Sequence, residues 1–242
     1  MIVLFTDFGL AGPYTGQVNA VLQQVAPAVP VIQLFADAPA RQPKPAAYLL
    51  AAYAAWFPAG TVLLCVVDPG VGGERRALIV EAGGRTYVGP DNGLFELVLR
   101  RGAATRCWEI AWRPARLSAS FHGRDLFAPV AARLARGEPP SAMARETAPV
   151  RLADWPDDLA EIVYTDHYGN ALTGLRGECL ATTARLACGA RQIAHAATFS
   201  AVPPGEAFWY VNANGLVEIA VNCGRADRDL GLAIGRELAI LP

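Results

Sequence analysis

The sequence predicts an α/β protein: an N-terminal parallel-sheet α/β domain followed by a smaller C-terminal antiparallel β-barrel domain. In the first 67 residues, short apolar runs alternate with stretches whose apolar residues recur at helical spacing. Beyond about residue 155, short alternating runs are separated by Gly, Asn and Pro. Between the two lies 136–158, rich in proline, alanine and charge, which reads as a connecting segment. The expected domains are therefore 1–154 and 155–242.

The elements follow in order. Residues 2–5 are an apolar run, followed by a glycine-rich turn. In 17–25, Val18, Val21, Leu22 and Val25 fall on one helical face. Residues 29–35 read as a strand, and the alanine-rich 46–57 as a helix whose start is favoured by Pro43 and Pro45. The next strand is 61–67, and this β-α-β-α-β order predicts parallel pairing through right-handed crossovers. Runs 77–81 and 85–88 flank Ala82-Gly83-Gly84 as a hairpin; 94–101 and 125–136 are helical. In the second half, 161–164, 185–187, 208–211, 216–221 and 237–241 are short strands, as in a small antiparallel barrel or sandwich.

Composition narrows the function classes. Hydrophobic residues make up 53% and charged residues 18%, a globular balance, and the formal net charge of −1 gives no general attraction for nucleic acid or anionic membranes. Five cysteines without a C-x-x-C pair read as free thiols rather than a disulfide framework or zinc site. The N-terminal run reaches Asp7 without a basic region, no signal peptide is expected, and no apolar run is long enough to span a bilayer. A cytoplasmic protein is expected.

Four polar clusters follow or precede apolar runs: Thr6-Asp7-Phe8-Gly9, the Asp68–Arg76 loop, Gly89-Pro90-Asp91-Asn92-Gly93 and Ser120-Phe121-His122-Gly123-Arg124-Asp125. Ligands of open parallel sheets bind beyond the carboxyl ends of strands, so Asp7 and Asp68 stand where a site belongs. Each cluster also has a structural reading. The Pro90–Gly93 run suits a turn and helix cap, Asp125 suits a cap or a pair with Arg124, and Asp7 suits an Asx turn. Arg75-Arg76 reads as an exposed charge pair or as an anion contact. In the second half, Asp166, Tyr168 and Asn170 combine a carboxylate, an aromatic face and an amide within five residues, or form a simple hairpin turn. His167 and His195 lack comparable company.

No P-loop, G-x-G-x-x-G or serine elbow is present. A metal-dependent phosphoesterase using Asp7, Asp68, Asp91, Asn92 and His122 is the rival chemistry, opposed by the charges of Arg75 and Arg124.

Taken in order, these blocks, with Asp166-x-x-Gly169-Asn170 and Asn214-Gly215-Leu216-Val217-Glu218-Ile219-Ala220, resemble the S-adenosyl-L-methionine hydroxide adenosyltransferase family, related to the fluorinase and chlorinase enzymes. The resemblance implies an α/β domain and a β-barrel domain in a homotrimer, with substrate held between the N-terminal domain of one subunit and the C-terminal domain of the next. It implies hydrolysis of S-adenosyl-L-methionine to adenosine and L-methionine, with no cofactor and no metal. Its Asp–Arg–His set around the attacking water lands on Asp68, Arg75 and His122. By position, Asp7 is expected at the ribose hydroxyls, Phe121 beside the ribose or base, Asp166 at the ammonium, Tyr168 on the adenine face and Asn170 at its edge. Asn214 and the backbone of Val221, Asn222 and Cys223 are expected to complete the substrate site.

The halogenating relatives carry Tyr and Thr where this chain has Asp68 and Val71, and an insertion that the short 82–85 connection lacks, so halide chemistry is not expected. Two positions depart from the family pattern. Gly12 stands where an acid is usual, and Arg41 where an aromatic is usual. They motivate the alternative of a nucleoside- or S-adenosyl-L-methionine-binding protein with vestigial catalysis.

Overall fold

The computed structural model describes residues 1–242, which divide into two compact units, Met1–Leu152 and Ala153–Pro242. In the first unit, β1 (Ile2–Thr6), β2 (Val31–Phe35) and β3 (Val62–Val66) alternate with α1 (Tyr14–Val25) and α2 (Pro43–Ala54). Then come β4 (Ala77–Ala82), β5 (Arg85–Pro90), α3 (Glu96–Arg101), β6 (Arg106–Ile110), α4 (Ala128–Ala135) and β7 (Ala144–Glu146). The sheet order is β2-β1-β3-β5-β4-β6-β7.

The expected parallel sheet is only half of this one. Strands β2, β1, β3 and β5 run parallel, whereas β4, β6 and β7 pair antiparallel. The 83–84 turn is too short for a parallel crossover, which forces β4 and β5 into a hairpin. The 136–158 segment also departs from its expectation, because β7 within it pairs with β6.

Every residue of β1 and β3 is buried, as befits central strands covered on both faces. Val18 and Leu22 of α1, with Val130 and Ala131 of α4, pack against Ile2, Leu4, Val62 and Leu64. The helix expected over 125–136 is in two parts: a π-helical turn, Gly123–Phe127, runs into α4. Pro129 has no N–H for the carbonyl four residues back, and Ala128 N–H reaches Gly123 O instead.

The second unit contains β8 (Leu159–Thr165), β9 (Ala171–Arg176), β10 (Arg185–Cys188), β11 (Arg191–His195), β12 (Ala207–Val211), β13 (Leu216–Val221), α5 (Ala226–Asp229) and β14 (Ala239–Leu241). They form one sheet in the order β14-β10-β11-β12-β13-β9-β8. The expected antiparallel barrel is corrected in two respects. Strands β11 and β12 pair parallel, and the outer strands meet through an isolated bridge between Glu161 and Glu237 rather than a continuous ladder. Ile162 N–H donates to Arg236 O at 2.9 Å and Leu238 N–H to Ala160 O at 2.8 Å, so the sheet curls over a core of Ile162, Leu186, Trp209 and Ile219. Trp209 satisfies its indole N–H on Ala184 O at 3.0 Å.

Glu96 anchors the end of the first unit. Its fully buried carboxylate accepts Arg100 Nη2 at 2.9 Å, Arg151 Nε at 3.0 Å and Leu152 N–H at 3.1 Å. Glu96→Ala is expected to lower unfolding free energy by about 1–3 kcal/mol and to expose 147–152 to protease. Urea unfolding and limited proteolysis check both.

Candidate active site

The main cleft of the first unit, about 200 Å³, lies where β1 and β3 end and is lined by Asp7, Phe8, Tyr14, Asp68, Phe121 and His122. Asp7 directly follows β1 and donates its N–H to Val66 O at 3.2 Å, coupling the ends of the neighbouring strands. Asp68 begins the loop after β3. Asn92 clips that loop from behind, donating Nδ2–H to Val67 O at 2.9 Å while its Oδ1 accepts Leu94 N–H at 3.3 Å. Gly72 adopts φ +79°, and a Cβ there would lie 2.4 Å from Ala119 O, so only glycine lets the Asp68 loop rest against the segment leading to His122.

Arg75 forms the layer beneath. Its Nε donates to Asp68 Oδ1 at 2.9 Å and Oδ2 at 3.0 Å, and Nη2 donates to Oδ2 at 2.5 Å. The same Nη2 lies 2.8 Å from His122 Nδ1. Asp68 and Arg75 side chains are 4% and 11% exposed, and the guanidinium carbon is 5.3 Å from the Phe127 ring centroid. A guanidinium only donates, so His122 Nδ1 must accept and its proton sits on Nε2. Burial first, and then the Arg75 charge, hold the His122 imidazole below its ordinary value of 6.5. The three residues that the family resemblance groups together are joined here through Arg75.

Asp7 Oδ2 accepts Arg41 N–H at 2.8 Å. Arg41 adopts the left-handed region, φ +60°, which aims its amide at that carboxylate. Burial raises the Asp7 carboxyl above its usual range, the Arg41 amide opposes the shift, and the charge of Asp68 adds to it. Phe121 packs edge-on against Phe8, with centroids 5.7 Å apart, and against Tyr14 at 5.4 Å. Phe8 and Tyr14 are site-lining residues beyond those expected from the sequence, where the only signal for them is their closeness to Asp7 and the Gly9 turn.

Arg76, Asp91, Arg124 and Asp125 of the four clusters are paired within the unit. Arg76 binds Asp91 and Ala148 O, and Asp91 also accepts Val150 N–H at 3.2 Å. Arg124 pairs with Asp125, which accepts Ser118 N–H at 2.9 Å. No three His, Cys, Asp or Glu side chains gather as a cation site.

In the second unit, Asp166 and Asn170 close the β8–β9 turn. Asn170 N–H reaches Asp166 Oδ1 at 2.8 Å, and its Nδ2 reaches Oδ2 at 3.0 Å. Asn170, expected at the adenine edge, is 6% exposed, and its amide nitrogen bonds Asp166 inside the turn. Tyr168 projects from the same turn at 74% exposure. Asn214 N–H caps Asn212 Oδ1, and Asn222 Nδ2 holds Val202 O at 2.7 Å. Val221 O accepts Gly224 N–H, the Asn222 backbone pairs with Glu206 and Gly205, and exposed Cys223 turns the chain at φ +57°. His195 lies against Trp209, with ring centroids 4.6 Å apart, and His167 is exposed.

A carboxylate–guanidinium–imidazole set at parallel strand ends, roofed by aromatics, defines a small-molecule site of an α/β enzyme. The chain belongs to the SAM hydroxide adenosyltransferase family: residues 2–144 match its N-terminal domain and 160–239 its C-terminal domain. It is 38% identical to the (R)-S-adenosyl-L-methionine hydrolase of Thermus thermophilus, with 99% of each chain covered. It is 39% identical to the protein of that name from Salinispora arenicola, covering 97% of this chain and 95% of the relative. Among solved structures, an uncharacterized conserved protein from Thermotoga maritima superposes with a TM-score of 0.90 at 30% identity, with both chains fully covered. A conserved hypothetical protein from Thermus thermophilus gives 0.79 at 37% identity, with 99% of each covered.

By NMR, His122 is expected as the Nε2–H tautomer at neutral pH, titrating below pH 6.5. Arg75→Met removes a cation and the Nδ1 donor, so the titration moves upward. A downward move, or an Nδ1–H tautomer in the unsubstituted protein, contradicts the assignment.

Proposed function

We propose that this chain hydrolyses S-adenosyl-L-methionine to adenosine and L-methionine by in-line attack of water on C5′. The observation that carries the reading is the Asp68–Arg75–His122 contact at the floor of the cleft. Its context is the family membership and the full-length relatives named as hydrolases. Those names specify an (R) compound, and the reading extends to that configuration at sulfur.

The leaving group is a neutral thioether, so it departs without a proton and no acid catalyst is needed. Water must be aligned behind C5′ and must lose its proton as the C–O bond forms. In the resting arrangement the His122 Nδ1 lone pair is turned to Arg75, and Nε2 carries a proton. Asp68 retains lone pairs beyond those its guanidinium occupies, so it takes the water's proton while His122 Nε2–H orients the water oxygen. Arg75 grips both oxygens of the nearly buried Asp68 and compensates the developing hydroxide character. Both Asp68 oxygens already face a guanidinium, which disfavours their use as metal ligands in the phosphoesterase alternative.

Asp7 then takes the ribose hydroxyls, Phe121 with Phe8 and Tyr14 borders the sugar or base, and Asp166 takes the ammonium. Tyr168, standing clear of its own unit, covers the adenine face, and the 221–223 turn borders the base. The second unit works as the barrel lid of a neighbouring subunit's cleft in a homotrimer, without a cofactor, in the cytoplasm.

Purified protein incubated with each sulfur epimer of S-adenosyl-L-methionine in EDTA is expected to release equimolar adenosine and methionine, resolved by chromatography. Tight substrate binding without product would instead mark a binding protein. Activity lost with chelator and restored by Mg²⁺ would return the phosphoesterase reading. Asp68→Ala should lower kcat by about 10²–10⁴-fold, the usual weight of general-base assistance, while adenosine affinity holds in calorimetry.

A further inference from the structure

Two turns of the second unit that the hydrolase reading puts at the adenine are remote from each other in the sequence. One joins β8 to β9 and carries Tyr168; the other, 221–223, follows β13. Tyr168 is 74% exposed, so the direction of its ring follows from how its turn is anchored.

Arg225, two residues beyond the second turn, ties it to the first. Its guanidinium uses all three nitrogens. Nε and Nη2 donate to Asp227 Oδ1 at 3.1 Å and Oδ2 at 2.8 Å, and Nη1 donates to His167 O at 3.0 Å. The Arg225 backbone is fixed as well: its N–H donates to Asp229 Oδ2 at 2.9 Å, and its O accepts Asp229 N–H at 2.8 Å. Asp227 N–H donates back to Gly169 O at 3.0 Å. Gly169 rests directly on this pair at φ +87°, where a Cβ would lie 2.6 Å from Asp227 Oδ1 and 2.9 Å from Arg225 Cβ. Gly224 N–H closes the second turn on Val221 O at 3.0 Å. Tyr168 is therefore bracketed, with His167 held by Arg225 and Gly169 held by Asp227.

The Arg225 and Asp227 side chains are 35% and 22% exposed, and a pair so open to solvent adds little stability through charge alone. What the pair supplies is direction. A planar guanidinium with one edge fixed on a carboxylate points its remaining nitrogen along a set line, and His167 O lies on that line. We infer that Arg225 is a positioning residue for adenine recognition: by joining His167 O to Asp227 it holds the Tyr168 turn at a fixed spacing from the 221–223 turn. The inference rests on the hydrolase reading for the identity of the base that Tyr168 covers. The clamp itself is a set of direct hydrogen bonds within one unit.

The experiment is a double-mutant cycle on the full chain, read as adenosine affinity by calorimetry and as KM for S-adenosyl-L-methionine. Tyr168→Ala is expected to weaken adenosine about tenfold, the weight of one base–aromatic stack. Arg225→Met keeps an apolar stem beside Gly169 and removes the fork. It is expected to weaken adenosine and raise KM about fivefold, a partial loss of that stack, with kcat held. In the Tyr168→Ala background the same substitution should change affinity by less than about twofold, because a residue acting through Tyr168 has nothing left to position. Equal weakening by Arg225→Met in both backgrounds, as a merely structural role requires, or no weakening in either, overturns the inference. Should Arg225→Met not fold, Asp227→Asn keeps the N–H to Gly169 O while removing the charge that fixes the fork. It carries the same expected dependence on Tyr168, and its absence there is equally decisive. Adenosine bound without turnover counts against the hydrolase reading alone, whereas an unsubstituted chain that binds no adenosine overturns both.

Discussion

The Arg75 guanidinium is the interaction on which the site depends. It spans two groups that would otherwise be difficult to keep beneath a cleft: a nearly buried carboxylate and an imidazole held neutral. Removing either partner of such a pair leaves an uncompensated charge away from water, a cost far above that of a surface pair. The loop geometry serves this contact. Gly72 permits the close approach to Ala119 O, and Asn92 pins Val67 so that Asp68 leaves β3 at a fixed angle.

Charge pairing elsewhere sharpens what the site presents. Arg76, Arg124, Arg176 and Arg225 each neutralise a carboxylate on their own unit. Asp7 and Asp166 are treated differently: each is held mainly by backbone or amide N–H groups and has no ion pair of its own among the salt bridges found. A half-buried carboxylate without an arginine partner in each unit, with aromatics alongside, suits a ligand carrying a sulfonium, an ammonium and a flat base. On the proposed reading, chemistry and recognition use different carboxylates, one paired with arginine and the others left to attract.

Much of this was readable from residue order, and the exceptions have physical causes. The β1–α1–β2–α2–β3 alternation is visible because period and polarity change together at each boundary. Strand β9 carries no clear pattern because Thr173 and Gly174 interrupt its apolar run, and the three residues of β7 are too few to show one. The parallel pairing of β11 with β12 depends on the path of 196–206, which no local signal encodes. At the site, Asp7, Asp68 and His122 stand out as polar residues near run ends. The division of labour between Arg75 and Arg76 does not, since it follows from how the glycine loop turns. Glu218 reads as part of an apolar strand; its partners Tyr210 and Asn212 lie 8 and 6 positions away, and only the pairing of β12 with β13 brings them to it.

The account stands on water attacking C5′ from the floor of the cleft. Turnover of S-adenosyl-L-methionine in ¹⁸O-water, with mass spectrometry of both products, tests that directly. The prediction is that the heavy oxygen appears in the 5′-hydroxyl of adenosine and that methionine carries none. Label in the amino-acid product with adenosine unlabelled, or no adenosine formed, would contradict it.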